Sequence, residues 1–178
     1  MSKNVVTKEY EFAAVLGLTD GILTALTLAA GRIIGFRTGL SVTLGLRVAT
    51  ASALAGGVVF FTAELARRNH ELVHAEQQLN LLSHGRLATT RLGHFVLVES
   101  LKATIVVIAS NFLGALLPFC VGLISRVAWV PICFALILLG VLGVSIAKVT
   151  YRGKIRWAVS LMLAGAALTV LGLWLRIV

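Results

Sequence analysis

Charged residues and cysteines are scarce in this sequence. Of its 178 residues only 13% are charged, whereas 58% are hydrophobic, and the mean hydropathy is +0.97. A soluble domain of this length could not bury so much apolar surface, so that class is excluded. The two cysteines, Cys120 and Cys133, have no His or Cys partner at metal-ligand spacing. A disulfide between them is geometrically feasible, but cysteines in apolar helices usually serve packing, and we assign them no chemistry.

The apolar residues are concentrated in five runs, each close to the ~20 residues that a helix needs to cross ~30 Å of hydrocarbon. The runs cover residues 12–31, 42–62, 101–124, 129–147 and 157–175. Because lipid offers no hydrogen-bond partners to open backbone, these runs should be helices. We predict an all-α integral membrane protein, with one five-helix membrane domain over residues 1–178.

A polar segment over residues 63–100 separates the second and third spans and contains all four histidines. Leucines recur there at helical spacing, which predicts that residues 63–82 continue span 2 as an amphipathic helix. Ser83-His84-Gly85 then predicts a break, and a second short helix over 87–98 leads into span 3. The segment is therefore predicted to be a short helical insert within the membrane domain.

Most of the sixteen Lys and Arg residues lie in the N-terminal segment and in the loops after spans 2 and 4. Because basic residues favour the cytoplasmic side, the N-terminus and the 63–100 insert are predicted to be cytoplasmic and the C-terminus to lie outside. The net charge of +9 then orients the chain and contacts lipid, so nucleic acid is not an expected partner. The multi-pass protein would reside in a bacterial cytoplasmic membrane or an organelle membrane.

The pentapeptide HELVH, residues 70–74, has the spelling of a zinc-protease helix, in which two histidines bind zinc and a glutamate acts as general base. Here it falls on the polar face of the predicted helix, and the AEQQLN that follows supplies neither a third ligand nor a closed cleft. We interpret it as a solvated helical face or a loose divalent-metal contact, with an intramembrane hydrolase as a weaker hypothesis. The candidate metal ligands of the insert are His70, Glu71, His74 and Glu76.

An acid in the first span is the strongest functional signal. Asp20, in the stretch GLTDG, lies about halfway along the span, ~13 Å deep in the bilayer. A carboxylate at that depth costs several kcal/mol unless it is protonated, paired or bound to a cation, and such residues usually lie on a substrate path. The structural alternative is a neutral Asp20 hydrogen-bonded to Thr19, Thr24 or Asn111.

Glu64, at the cytoplasmic end of span 2, is the second acid associated with the membrane. Together with Asp20 it outlines a cation route from the cytoplasm, and carboxylate oxygens favour hard or borderline ions such as Mn²⁺ and Fe²⁺. Binding at a buried carboxylate displaces a proton, which is the basis of proton-coupled exchange. Gly17 and Gly21 flank Asp20 and let another helix backbone approach closely.

The order of these elements resembles the vacuolar iron transporter family. FAAVLGLTDGILTALTLAAG resembles the family's first span, and ALAGGVVFFTAELARR its second, which ends in a Glu. SNFLGALLPFCVGLI resembles the third span, with a G-A-x-x-P turn at Gly114 and Pro118. The segments LILLGVLGVSIAKV and WAVSLMLAGAALTVLGLWL resemble the last two. The likeness covers almost the whole chain.

The resemblance implies a homodimer of five-helix protomers that exports Fe²⁺ or Mn²⁺ from the cytosol in exchange for protons, through a path at the dimer interface. The family's span-1 Asp maps onto Asp20 and its span-2 Glu onto Glu64. We expect Thr24 and Asn111 to lie on the same path, and neither a prosthetic group nor an enzymatic activity. Two features depart from the family: Phe60 replaces a methionine four residues before the Glu, and the insert is short and poor in Glu.

A non-transporting protein is the alternative hypothesis. In it, the cytoplasmic helix 63–82 recruits a soluble partner, and the protein is a small membrane adaptor. Asp20 would then serve only to hold helices together.

Overall fold

All five apolar runs form α-helices. A computed structural model of the protein describes residues 3–34, 42–78, 91–125, 129–150 and 154–175. The helices are α1 (Lys3–Ile34), α2 (Val42–Gln78), α3 (Arg91–Ile124), α4 (Trp129–Thr150) and α5 (Lys154–Leu175). No strand occurs in these ranges, so the all-α prediction is confirmed.

Four of the helices contain segments long and apolar enough to cross a membrane. These segments are Tyr10–Ala30, Gly45–Ala75, Arg91–Ile124 and Trp129–Ala147. The apolar part of α5, Ile155–Leu171, is shorter and stands at the lower end of the ~17–25 residues that span a bilayer. The helices are compatible with an integral multi-pass membrane protein, and the fifth span stays a prediction.

The α2 helix is much longer than a membrane is thick. Its 37 residues reach about 55 Å at 1.5 Å per residue, so its polar end must extend past the ~30 Å of hydrocarbon. This confirms that span 2 continues as a helix beyond residue 62. The predicted end of that helix at residue 82 and the break at Ser83-His84-Gly85 lie outside the described residues.

The α3 helix corrects two expectations. It is continuous from Arg91 to Ile124, so the short helix expected over residues 87–98 is joined to span 3 within the described part. The expected turn at Gly114 and Pro118 is wrong, because both residues lie inside this helix and are buried. Gly114 is needed for packing instead, since a Cβ atom there would stand 2.5 Å from the main-chain oxygen of Leu18.

The α1 helix is at the centre of the bundle and packs against all four other helices, most extensively α3. The core between α1 and α4 is built from aliphatic side chains such as Ile22, Leu26 and Leu139, which are at most 1% exposed. Between α1 and α3 the contact is made by small residues, because Gly17 and Gly21 leave the two backbones room to touch. Small residues at helix crossings are typical of bundles in lipid, where close packing replaces the hydrophobic effect.

Large apolar side chains cover much of the outer surface. Leu54, Val58 and Val59 on α2 are each at least 60% exposed, and Ile105 and Leu113 on α3 are more than half exposed. In water such a surface would aggregate, whereas in a bilayer it contacts acyl chains. The surface therefore supports the placement of the bundle in a membrane.

Candidate functional site

Asp20 lies where α1, α2 and α3 meet. It is midway along the Tyr10–Ala30 segment of α1, and its Oδ2 atom accepts a 2.6 Å hydrogen bond from the amide Nδ2 of Asn111 on α3. On α2, a Cβ atom at Gly56 would stand 2.8 Å from that Oδ2 and 3.0 Å from that Nδ2. A side chain at position 56 would therefore push the carboxyl and the amide apart.

Glycines of α1 bring Asp20 to Asn111. A Cβ atom at Gly21 would collide with the main-chain oxygen of Asn111 and stand 2.8 Å from the main-chain nitrogen of Ala115. One turn earlier, a Cβ atom at Gly17 would collide with the side chain of Ser110. The prediction that these two glycines admit another helix is confirmed, and the helix they admit is the one that carries the partner of Asp20.

Asn111 is fully buried, yet one of its polar atoms has no partner. Its exposed fraction is 0%, and its Oδ1 atom receives no hydrogen bond from the residues that the structure describes. A buried acceptor left without a donor costs ~1–3 kcal/mol. A water molecule, a cation or another proton donor would satisfy this oxygen.

An apolar groove of about 980 Å³ opens beside Asp20, whose side chain is exposed on that side. All five helices contribute to its lining: Phe12, Val15, Leu16, Thr19, Asp20, Leu23, Ser52, Ala55, Gly56, Val59, Phe60, Ala63, Val107, Ile146 and Trp157. Asp20 is the only ionisable group among these described residues. The groove extends along α2 as far as Ala63, so it leads from the mid-span acid to the residue beside Glu64.

The threonines of α1 do not bind the Asp20 carboxylate. The hydroxyl of Thr19 donates to the main-chain oxygen of Val15 at 2.8 Å. The hydroxyl of Thr24 lies 3.0 Å from the main-chain oxygen of Asp20 and 2.9 Å from the hydroxyl of Ser52 on α2. Of the three partners considered for the carboxyl group, only the Asn111 amide makes the contact. Ser52 was not among the predicted residues.

Glu64 is bound by two arginines of its own helix. Arg67 donates from Nε to Oε2 at 3.0 Å and from Nη2 to Oε1 at 2.8 Å, and Arg68 donates from Nε to Oε1 at 2.6 Å. Arg67 also donates to Glu71 at 2.6 Å. We call Glu64, Arg67, Arg68 and Glu71 the arginine–glutamate network. Two predicted metal ligands, Glu64 and Glu71, are thus occupied by guanidinium groups that a metal ion would have to displace.

Burial should make Arg68 more important than Arg67 for stability. Its side chain is 10% exposed, against 50% for Arg67. Truncating one partner of a buried ion pair costs ~3–5 kcal/mol, whereas an exposed pair contributes ~0–1 kcal/mol. We expect Arg68→Met to lower the midpoint of thermal unfolding in detergent, followed by circular dichroism, well below that of Arg67→Met. Equal midpoints would mean that burial of Arg68 adds nothing to the ion pair.

Glu99 and Tyr10 form a further contact that was not predicted. The hydroxyl of Tyr10 on α1 donates to Oε2 of Glu99 on α3 at 2.8 Å, and Lys102 forms an ion pair with Oε1 at 3.0 Å. The positive charge of Arg68 also acts on Glu99. The start of α1, the polar part of α2 and the start of α3 therefore lie at the same end of the bundle, as alternating up-and-down helices require.

The HELVH histidines lie on the exposed surface of α2. The ring centroids of His70 and His74 are 6.5 Å apart, and both residues are exposed. Among the described residues, no three His, Cys, Asp or Glu side chains come together to hold a metal ion. Glu76 belongs to α2, but its side chain lies outside what the structure describes. The protease interpretation gains no third ligand, and the loose metal contact stays a prediction.

The predicted residues fall into separate groups within one chain. Asp20 and Asn111 are in contact, and Thr24 lies one turn further along α1 beside Ser52. Glu64 is eight residues beyond Gly56 on α2, which corresponds to ~12 Å along the helix. The thiols of Cys120 and Cys133 are both free and exposed. The two acids are therefore too far apart to share one coordination sphere.

The chain matches no protein-family model, no curated protein and no solved structure. The likeness to the vacuolar iron transporter family therefore stays a prediction.

Proposed function

We propose that the protein is a proton-coupled transporter that moves Fe²⁺ or Mn²⁺ out of the cytosol. The observation that carries this proposal is a mid-span carboxyl group, Asp20, which faces a groove instead of a sealed core. The groove extends to Ala63, beside Glu64. A route between two acids in a chain otherwise so apolar is typical of a cation pathway.

Proton coupling follows from the surroundings of Asp20. In an apolar groove a carboxylate is stable only when a proton or a metal ion compensates its charge. A cation that arrives at Asp20 therefore releases the proton, and a proton that arrives releases the cation. The site binds one or the other in turn, which is the requirement for exchange.

A second copy of the chain would cover the open side of the groove. An exposed acid cannot face acyl chains at mid-bilayer depth without a cost of several kcal/mol. The groove is rimmed by apolar residues such as Phe12, Leu16 and Val59, which suits a helix interface in lipid. The proposal therefore includes a homodimer of five-span protomers, with a cytoplasmic N-terminus and 63–100 insert, in a bacterial cytoplasmic or organelle membrane.

Glu64 would bind the cation first, at the cytoplasmic end of the groove. The arginines that are paired with Glu64 would compete with the entering cation. Both oxygens of Glu64 accept hydrogen bonds from guanidinium groups. A divalent ion must displace a tethered monovalent cation there, so entry depends on the higher charge of the ion. Metals that are weak Lewis acids or present at low concentration would then be excluded from the groove.

Metal-dependent proton flux is the direct test. The purified chain is reconstituted into liposomes that contain a pH-sensitive dye, and Fe²⁺ (under reducing conditions), Mn²⁺, Co²⁺ and Zn²⁺ are added in turn. We expect proton movement with Fe²⁺ or Mn²⁺ that is absent from protein-free liposomes. No flux with any of the four ions would remove the proposal.

A membrane adaptor is the second candidate, because α2 continues well past the hydrocarbon as a helix with exposed His70, Glu71 and His74. Such an extension offers a docking surface to a soluble protein. In this case liposomes would show no metal-dependent flux, and a soluble partner would be retained by the native chain but not by a variant with the exposed 70–74 side chains replaced. Flux without a partner favours the transporter.

A further inference from the structure

We propose that the groove beside Asp20 also binds lipophilic monovalent cations, such as phosphonium or quaternary ammonium ions with aromatic substituents, and exchanges each of them for one proton. The inference goes beyond metal transport, because it assigns a second class of substrate to the groove. It is carried by the size of the groove, by its single acid and by its apolar walls.

The groove is much larger than a metal ion. Its volume is about 980 Å³, at the upper end of the ~300–1,000 Å³ that small-molecule sites enclose. A divalent ion that keeps six water molecules takes on the order of 200 Å³, since one water occupies ~30 Å³. An organic cation of drug size therefore matches the groove far better than a metal ion does.

The groove offers one negative charge. Asp20 is the only ionisable group among the described residues that line it. Both oxygens of Glu64, beyond the end of the groove, accept hydrogen bonds from arginines. A monovalent cation and a proton can therefore replace one another at Asp20 without leaving net charge in the groove. A divalent ion would need a further acid, such as the one that a second copy of the chain supplies.

The walls suit an ion whose charge is spread over a large apolar surface. They are mainly aliphatic, with the aromatic rings of Phe12 on α1, Phe60 on α2 and Trp157 on α5. A small hydrated ion is costly to transfer from water to such surroundings, and this Born cost falls as the ionic radius grows. The faces of aromatic rings add ~0.5–2 kcal/mol of cation–π attraction. The groove therefore favours a large cation of low charge density.

Of the occupants that fit an apolar groove in lipid, only a cation makes use of the acid. The rim residues Phe12, Leu16 and Val59 are each at least 41% exposed, so an acyl chain or a second copy of the chain would cover them in a membrane. Neither compensates a carboxylate at mid-span, which costs several kcal/mol. A lipophilic cation satisfies both, because it offers apolar surface to the rim and positive charge to Asp20. In the homodimer proposed above, it would lie between Asp20 and the second copy.

Tetraphenylphosphonium and tetraphenylborate are matched probes, because they have nearly the same shape and opposite charges. Their binding to the purified chain in detergent is measured by equilibrium dialysis, with protein-free micelles as background. We expect saturable binding of tetraphenylphosphonium that weakens about tenfold or more in Asp20→Asn, which removes the charge partner. Glu11→Gln should bind it as the native chain does. Tetraphenylborate should bind no more weakly to Asp20→Asn than to the native chain.

Proton exchange is measured on the same samples. In weakly buffered, mildly acidic detergent solution with a pH-sensitive dye, each bound tetraphenylphosphonium ion should release about one proton, because the two compete for one carboxylate. Asp20→Asn should release none. Binding without proton release would overturn the exchange.

Two neighbouring phenylalanines distinguish the groove from the general apolar surface. Phe60 lines the groove and Phe61 does not, although both are half-buried. Phe60→Leu should weaken tetraphenylphosphonium binding about threefold through loss of a cation–π contact, and Phe61→Leu should leave it unchanged. The elution volume and the unfolding midpoint show whether each variant is folded, and this pair keeps the test decisive if Asp20→Asn does not fold. Equal effects of the two substitutions would place the probe outside the groove.

The outcomes distinguish this inference from the proposed function. Equal tetraphenylphosphonium affinity in the native chain and a folded Asp20→Asn protein would overturn the inference and leave the groove to lipid or to a second copy. Metal-dependent flux together with that result keeps the metal transporter and removes only the second class of substrate. Asp20-dependent binding of tetraphenylphosphonium without metal-dependent flux removes the metal transporter and keeps the organic-cation site.

Discussion

Asp20→Asn is expected to abolish metal-dependent proton flux in liposomes while the protein stays folded. Asparagine has nearly the same shape as aspartate, and its amide can still pair with the Asn111 amide that lies 2.6 Å from the native carboxyl group. It has no charge to attract a cation and no proton to exchange. Flux should therefore fall to the level of protein-free liposomes for every metal tested.

The Asp20→Asn variant should be at least as stable as the native chain, although it loses flux. A charged or titratable group at the centre of a membrane helix costs about 2.5–3.5 kcal/mol on insertion scales. Removing the acid from Asp20 should leave the midpoint of thermal unfolding in detergent unchanged or higher. If Asp20 were only a structural link between α1 and α3, the variant would instead unfold at a lower temperature. In that case neither the native chain nor the variant would show flux.

A matched control comes from the same helix. Glu11 is an exposed acid nine residues before Asp20 and does not line the groove. Glu11→Gln removes one negative charge from α1, as Asp20→Asn does, but at the edge of the apolar segment. We expect it to retain flux. Full flux in Asp20→Asn, or an equal loss of flux in Glu11→Gln, would show that transport does not depend specifically on the mid-span carboxyl group.

The apolar pattern predicted the helices because membrane-spanning segments must satisfy their own backbone, and only a long apolar helix does so. The contact between Asp20 and Asn111 was predicted only as one of three options, since the residues are 91 positions apart. The sequence pattern of one helix does not show which face of a second helix that helix contacts. Gly17 and Gly21 carried that information, because they showed which side of α1 is open to a neighbouring backbone.

The arginine–glutamate network has a local signal in the sequence. Arg67 and Arg68 follow Glu64 by three and four residues, which is the spacing of ion pairs on one helical face, and both pairs form. Glu64 and Glu71 are therefore paired with guanidinium groups and are not open metal ligands. Pro118 was expected in a turn, although proline is tolerated inside membrane helices where neighbouring helices satisfy the freed backbone groups. The Tyr10–Glu99 contact had no local signal, because its residues are 89 positions apart.

The second large effect is expected at Gly21. Alanine there would place a methyl group against the main-chain oxygen of Asn111, with the main-chain nitrogen of Ala115 2.8 Å away. Backbone atoms inside a helix cannot rotate aside, so α1 and α3 must separate. Overpacking of this kind typically costs 1–3 kcal/mol and occasionally more. We expect Gly21→Ala to lower the unfolding midpoint and, because Asp20 and Asn111 belong to the same crossing, to abolish flux as well.

Gly140→Ala is the matched control for Gly21→Ala. A Cβ atom at Gly140 would meet only the side chain of Met162, with its Sδ atom at 3.1 Å, and a methionine side chain adapts easily to a new methyl group. Replacing glycine by alanine inside a helix otherwise gains ~1 kcal/mol of helix propensity. Gly140→Ala should therefore be neutral or stabilising and should keep its flux, so the difference between the two variants isolates the backbone contact. If Gly21→Ala were as stable and as active as Gly140→Ala, then α1 and α3 would not cross at Gly21, and the pairing of Asp20 with Asn111 would lose its structural basis.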